Sequence, residues 1–233
     1  SRVSRKLRKQ WIHNIRFGCD IGIPPDSKHI SAKRNHVDRS CHVAVFEDCV
    51  KGVTTGWLKG PFDPHSQIAK QTVIAPLQTT PKPGGLWRII QNLSHGKRLR
   101  FSVNCFISNE NRHVTYDSIR FIANILKKLG PNEAMWVSDM FEAYRRVLVA
   151  PRFHKYLGFC WYNRVYQYSC LPFGLASACK LYSGFAETIR QITIGSNRAL
   201  WTNGSDELLH NYLDDFWGAH KLLEQAWEQF ISF

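Results

Sequence analysis

The chain has 233 residues, of which 44% are hydrophobic and 13% aromatic, so it can bury a substantial core in one large domain or two small ones and is not disordered. Lys and Arg number 31 against 18 acidic residues, and this formal charge of +13 favours a polyanionic partner such as nucleic acid. No apolar run approaches the roughly 18 residues of a membrane span, and no signal-peptide segment follows the basic N-terminus. We therefore expect an intracellular protein, cytoplasmic or nuclear, without a membrane partner.

The seven cysteines form no C-x-x-C pair, which predicts reduced packing residues. The group closest to a metal set is His36, Cys41, His42 and Cys49, but its spacing fits no common zinc pattern. The sequence begins at Ser1, and its only methionines are Met135 and Met140, so we expect a piece of a longer product.

Residues 1–50 are predicted to be a basic N-terminal extension that opens with Arg2, Arg5, Lys6, Arg8 and Lys9. Such a run contacts phosphate or acts as a nuclear address in some proteins and is merely solvated in others. Residues 51–68 are rich in Gly and Pro, which predicts an extended connection.

A β-hairpin is predicted over residues 71–93, with its turn at Pro81-Lys82-Pro83-Gly84-Gly85. Lys82 lies in the turn, and Arg88 lies in the second strand beside Trp87. A basic pair at a glycine-rich tip suits a phosphate chain. The alternative is a solvated hairpin in which Arg88 packs on Trp87.

The elements after the hairpin follow from periodicity and breakers. Helices are predicted at 115–129, 176–190 and 221–233, the last with Leu222, Leu223, Ala226 and Phe230 on one side. Strands are predicted at 134–139, 156–161 and 164–170, the last two joined by a turn at Tyr162-Asn163.

Two adjacent aspartates, Asp214 and Asp215, lie between apolar segments in residues 207–218, which predicts a hairpin with carboxylates at its tip. Like charges this close repel and half-buried carboxylates lose hydration, so the pair should take up protons or hold cations. Hard oxygen ligands suit Mg²⁺. The alternative is a polar turn that uses Asp for its turn propensity.

Three elements follow in order: a strand that ends at Asp139 with Tyr144 after four intervening residues, then Leu171-Pro172-Phe173-Gly174-Leu175, then Tyr212-Leu213-Asp214-Asp215. Together with Trp87-Arg88, they resemble the fingers and palm of reverse transcriptases over about residues 52–230. The stretches GPFDP, PKPGGLWRIIQNLS, SVN and LPFGL are most similar to retrotransposon enzymes of tyrosine-recombinase or other LTR-like elements.

The resemblance implies an α+β fold, the right-hand polymerase fingers and palm, with an antiparallel palm sheet backed by helices. It places the fingers at 51–134, the palm at 135–233, and part of the fingers interleaved at 150–175. The family's thumb, primer-grip hairpin and RNase H domain are not in this sequence, so we expect them as partners from the same polyprotein.

The implied activity is RNA-directed DNA polymerisation, in which a dNTP is joined to a DNA primer on an RNA or DNA template. Two Mg²⁺ ions, or Mn²⁺, roughly 3.5 to 4 Å apart serve such nucleotidyl transfer. Asp139 and Asp214 would hold them and Asp215 would support the site. The resemblance assigns the dNTP to six residues: Lys82 and Arg88 on the triphosphate, the backbone around Met140 on metal or phosphate, Ala143 and Tyr144 at the sugar, and Phe173 at the face of the nucleotide.

Tyr144 predicts dNTP rather than NTP as the substrate, because a bulky ring under C2′ leaves no space for a 2′-hydroxyl. Many relatives carry proline where this chain has Cys179. Two other functions stay open: a non-catalytic nucleic-acid-binding remnant of a reverse transcriptase, and a viral RNA-dependent RNA polymerase, which Tyr144 disfavours.

Overall fold

The computed structural model describes residues 5–25, 27–32, 35–95, 101–203 and 206–233. Within them the helices are α1 (Arg5–Phe17), α2 (His42–Thr54), α3 (Gln67–Gln71), α4 (Ile119–Leu129), α5 (Ala178–Ser196), α6 (Arg198–Trp201) and α7 (Leu223–Ser232). The strands are β1 (Leu58–Phe62), β2 (Leu77–Pro81), β3 (Trp87–Gln91), β4 (Ala134–Asp139), β5 (Gly158–Trp161), β6 (Arg164–Tyr168), β7 (Thr202–Asn203), β8 (Asp206–Glu207), β9 (Leu209–Tyr212) and β10 (Asp215–His220). The sheets pair these strands antiparallel, so the fold is α+β.

The chain divides into two compact units whose segments alternate along the sequence. The carboxylate unit consists of Val114–Ala143, Tyr182–Phe233 and the described part of Ser1–Ile12. The hairpin unit consists of the described parts of His13–His113 together with Tyr144–Leu181. Arg2, at the start of the predicted basic run, lies outside the described residues.

The centre of the carboxylate unit is the sheet β4-β10-β9, with β10 in the middle. Helix α4 covers one face, where Ile125 and Leu129 pack with Leu208, Trp217 and Ala219. On the same face of the edge strand β4, Met135 and Val137 stay exposed, Val137 at 63% of its surface.

Helix α4 begins later than its apolar periodicity predicts. It starts at Ile119 because the Ser118 side chain caps it by accepting a hydrogen bond from the Phe121 N–H. It ends at Leu129, followed by Gly130 with a φ of 96°.

The other face of the sheet packs against α7. The Trp136 indole donates to Gln229 Oε1 at 3.3 Å, and Gln229 Nε2 donates to the Leu200 carbonyl at 2.7 Å. The predicted apolar side of this helix is wrong at its start, because Leu223 is 75% exposed whereas Ala226 and Gln229 are buried. Hydrogen bonding of a buried glutamine, which periodicity does not report, sets the inner face.

The hairpin unit contains the predicted basic hairpin as β2 and β3, paired from Leu77↔Gln91 to Pro81↔Trp87. Gly84 and Gly85 both have positive φ in its turn, at 79° and 75°. A second sheet has the order β1-β6-β5, with Tyr162 and Asn163 in left-handed conformations between β5 and β6.

The expectation of an extended connection over residues 51–68 is wrong in part. Helix α2 continues to Thr54, and Leu58–Phe62 pairs with β6 as a strand. None of the described helices has the length and apolar composition needed to cross a membrane.

Candidate active site

The three predicted carboxylates lie at one end of the β4-β10-β9 sheet. Asp139 is the last residue of β4 and is paired directly with Asp215, the first residue of β10. Residues opposite each other in an antiparallel pair share a face, so these two side chains are neighbours. Asp214 lies in the turn between β9 and β10, and its carbonyl accepts a hydrogen bond from the Met140 N–H at 2.9 Å.

The turn that carries Asp214 is conformationally unusual. Leu213 adopts a φ of 53°, a region that a branched residue rarely enters without compensation from its surroundings. The pairing of Tyr212 with Asp215 and the bond from Met140 to Asp214 provide that compensation. Together they fix the backbone of Asp214 and Asp215 relative to β4.

The carboxylates at this end of the sheet repel one another. Burial, followed by the charges of Asp214 and Asp139, raises the pKa of Asp215 above its usual value. A cation at this position would relieve the same repulsion that disfavours ionised Asp215.

Tyr182 is a residue that sequence reasoning missed. It is fully buried, and burial together with the charges of Asp214, Asp139 and Asp215 raises the pKa of its phenol. The hydroxyl therefore stays protonated within the field of all three carboxylates. Nothing in the sequence distinguishes it from other aromatic residues of α5.

The donor chemistry fits Mg²⁺, although the aspartates do not form a closed cage. Among the described residues, no three or more His, Cys, Asp and Glu side chains are grouped so as to hold a metal ion, and this includes the set from His36 to Cys49. Mg²⁺ is usually held by one or two carboxylates, with waters and substrate phosphates as further ligands. Asp139, Asp214 and Asp215, at one end of the same sheet, offer carboxylates for that mode.

Within the hairpin unit, three of the residues predicted to bind dNTP come together. The Arg88 guanidinium lies 5.4 Å from the centre of the Phe173 ring, and the Tyr144 ring meets Phe173 edge-on at 5.2 Å. Arg88 therefore makes a cation–π contact with Phe173. Lys82 is exposed at the hairpin tip.

Met140 and Ala143, the other two predicted dNTP residues, belong to the carboxylate unit. The Met140 N–H is engaged with the turn of Asp214, and Ala143 is buried.

The LPFGL segment is held tightly against β3. The Gln91 N–H donates to the Phe173 carbonyl at 2.9 Å, and Gly174 has a φ of 104°. A Cβ on Gly174 would come within 2.0 Å of the Gln91 carbonyl oxygen, so only glycine fits.

Asn104, in the SVN stretch, clamps the same segment and was also missed as a site residue. Its side chain donates to the Gly174 carbonyl at 2.8 Å and accepts from the Ala176 N–H at 2.9 Å. A buried asparagine bonded to backbone on both sides fixes a loop that has no regular structure of its own.

The carboxylate unit also contains a polar cavity of about 230 Å³. Its lining residues are Thr115, Tyr116, Asp117, Ser183, Glu187, Arg190 and Asn211. Beside it, the ring nitrogens of His210 contact Asp117 Oδ2 at 2.9 Å and the Glu207 carbonyl at 2.8 Å. These two contacts hold the imidazole ring between Asp117 and the backbone of β8.

Comparison with known proteins shows that the fold of this chain is similar to that of solved structures. No protein-family model matches the chain, and no curated protein matches it. The native protease-reverse transcriptase of prototype foamy virus is similar in structure, with a TM-score of 0.63 and 16% identity over 89% of this chain and 24% of that one.

The foamy viral protease-reverse transcriptase in complex with double-stranded DNA gives a TM-score of 0.64 and 12% identity. That match covers 99% of this chain and 38% of the other, so this chain spans well under half the length of these proteins. The described chain has a reverse-transcriptase-like fold.

Proposed function

We propose that this chain is the fingers and palm part of an RNA-directed DNA polymerase of a retroelement. It would transfer a nucleotide from a dNTP to the 3′-hydroxyl of a DNA primer on an RNA or DNA template. The observation that carries the proposal is the direct pairing of Asp139 with Asp215, with Asp214 in the adjoining turn. The fold shared with the foamy virus enzymes supports it.

In this proposal Asp139 and Asp214 hold two Mg²⁺ ions, or Mn²⁺, and Asp215 supports them. Such ions, when bound, activate the attacking hydroxyl and neutralise the leaving pyrophosphate. The chain's own contribution is a backbone fixed by the Met140 bond and a Tyr182 phenol that stays protonated beside the carboxylates.

The cluster around Phe173 would recognise the nucleotide. Arg88 and Lys82 neutralise charge on the triphosphate, and Phe173 contacts the face of the nucleotide. Tyr144, next to Ala143, excludes a 2′-hydroxyl and so selects deoxyribose. Arg88 and Tyr144 both contact Phe173, so this ring would position them together.

Nucleic acid is the proposed macromolecular partner. The formal charge of +13 favours phosphate contacts, and one structural neighbour is a complex with double-stranded DNA. A thumb and an RNase H domain from the same polyprotein are proposed as further partners, because they would hold template and primer during repeated additions.

The test is single-nucleotide incorporation on a primed RNA template with Mg²⁺. Asp139→Asn and Asp214→Asn are expected to lower incorporation at least about a hundredfold, since each removes a carboxylate from the metal site. Glu228→Gln, which removes an exposed charge on α7, is the matched control and should match wild type. Extension that survives Asp214→Asn unchanged would refute the proposal.

The second candidate is a non-catalytic nucleic-acid-binding remnant, which the charge of +13 also favours. It predicts salt-sensitive binding of RNA or DNA that persists in Asp214→Asn, with no incorporation at any concentration of Mg²⁺ or Mn²⁺. Measuring binding and incorporation on the same samples separates the two functions.

A further inference from the structure

The Tyr144 side chain has contacts along its ring and at its hydroxyl, both within the hairpin unit. Its ring meets Phe173 edge-on, with centroids 5.2 Å apart and planes at 61°. Its hydroxyl lies 3.0 Å from Cys179 Sγ, and the two groups share a hydrogen bond that either can donate. Rotation of the Tyr144 side chain about its Cα–Cβ bond would therefore break the hydrogen bond between its hydroxyl and Cys179.

The backbone that carries the Cys179 thiol is held in place by hydrogen bonds. Cys179 is the second residue of α5, and the chain just before it is tied down at two points. The Ala176 N–H donates to Asn104 Oδ1 at 2.9 Å, and the buried Ser177 hydroxyl donates to the Ile21 carbonyl at 3.0 Å. The position of the sulfur is therefore set by the fold.

We propose that Cys179 is a positioning residue for sugar selection. Its thiol holds the Tyr144 ring where the ring excludes a 2′-hydroxyl, so the chain discriminates deoxyribonucleoside from ribonucleoside triphosphates better than Tyr144 alone would allow. This inference rests on the proposed polymerase function, because only there does Tyr144 meet a nucleotide sugar. The resemblance to reverse transcriptases does not supply it, since many relatives carry proline at this position.

A role of Cys179 as simple packing predicts a different result. A small apolar group there would support the fold equally for both classes of nucleotide, because dNTP and NTP share the base, the triphosphate and the carboxylate site. The ratio of kcat/KM for dNTP to that for NTP cancels any general loss of folded protein. It therefore reports the sugar alone.

The experiment is a double-mutant cycle on the whole chain, with dNTP and NTP of the same base on one primed RNA template. Cys179→Ala and Tyr144→Phe are each expected to lower the dNTP to NTP ratio about fivefold, the factor of one side-chain hydrogen bond. The double variant should show no further loss, since both changes remove the same bond. Cys179→Ser replaces the thiol with a hydroxyl that can still hydrogen-bond to Tyr144, so it should retain most of the ratio. Cys179→Val, like Cys179→Ala, removes the hydrogen bond and should lower the ratio.

The control is Cys105→Ala, which removes an exposed cysteine of the same unit and should leave the ratio unchanged. A Cys179→Ala ratio equal to wild type, or losses that multiply in the double variant, would overturn the inference while the polymerase function stands. A wild-type chain that incorporates neither nucleotide overturns the proposed function, and the role in sugar selection with it.

A second measurement needs no activity. In protein without metal or nucleotide, Tyr144→Phe is expected to change the rate of Cys179 alkylation by N-ethylmaleimide about fivefold, because the sulfur loses its hydrogen bond to the phenol. The rate should rise if the thiol donates that bond and fall if the phenol donates it. Mass spectrometry locates the adduct, and alkylation of exposed Cys105 serves as the internal reference. An unchanged rate at Cys179 would show that the thiol does not hold the hydroxyl.

Discussion

Replacement of Gly174 by alanine tests the packing of the LPFGL segment against β3. The new Cβ would lie 2.0 Å from the Gln91 carbonyl oxygen, a backbone atom that no rotamer change can move away. The φ of 104° adds backbone strain of about 1 to 2 kcal/mol, and forcing the two segments apart adds about 1 to 3 kcal/mol. We expect the free energy of unfolding to fall by about 2 to 5 kcal/mol.

Gly56→Ala is the matched control, because it separates backbone strain from overlap. Gly56 belongs to the same unit and has a φ of 80°, yet a Cβ there would meet no atom within 4 Å. The free energy of unfolding of Gly56→Ala should therefore fall only by the backbone strain, about 1 to 2 kcal/mol.

Urea unfolding followed by tryptophan fluorescence measures both variants. With a denaturant slope of roughly 2 to 3 kcal/mol per molar, the midpoint should fall by about 1 to 2 M for Gly174→Ala and by about 0.5 M for Gly56→Ala. The KM for dNTP should rise in Gly174→Ala alone, since Phe173 is displaced with its carbonyl bond to Gln91. Equal midpoints for the two variants would refute the close approach.

Three further substitutions test contacts and charges within the two units. Asp215→Asn should raise the melting temperature in EDTA by about 1 to 2 °C at pH 7, the scale of an exposed charge pair, while it lowers incorporation. The folded-state pKa of Asp215 lies above its ordinary 3.8, so ionised Asp215 lowers stability at pH values above that pKa. The increase in melting temperature that Asp215→Asn gives should therefore fade as the pH falls toward 4. An equal increase at pH 7 and pH 4 would contradict this. His210→Gln should lower the free energy of unfolding by about 2 kcal/mol through loss of the bond to Asp117, whereas His65→Gln, on an exposed turn, should leave the urea midpoint unchanged. Tyr144→Ala should raise kcat/KM for NTP at least about tenfold relative to dNTP, and an unchanged ratio would remove Tyr144 from sugar selection.

Much of the carboxylate site could be predicted from local sequence. Apolar segments around Asp214 and Asp215 indicate a hairpin, and a buried strand that ends on Asp139 indicates a neighbour for it. Antiparallel pairing then needs only the correct register, which places Asp139 opposite Asp215.

The supporting residues could not be predicted, because their roles depend on contacts between distant segments. Asn104 reaches Gly174 across 70 positions, and Arg88 of β3 meets Phe173 in the distant LPFGL segment. Tyr182, on α5, lies in the field of carboxylates on β4, on β10 and in the turn before β10. Periodicity reports which side of an element is apolar but not which polar side chain another segment will meet.

The exposed outer strand that carries Asp139 bears on how the variants behave in solution. β4 is the edge of its sheet and shows Met135 and Val137 to the surroundings, a combination that invites another chain to pair and aggregate. A charge at the end of such a strand opposes this self-association. Asp139→Asn removes that charge together with a metal ligand, so light scattering of each sample distinguishes an inactive monomer from a precipitating one.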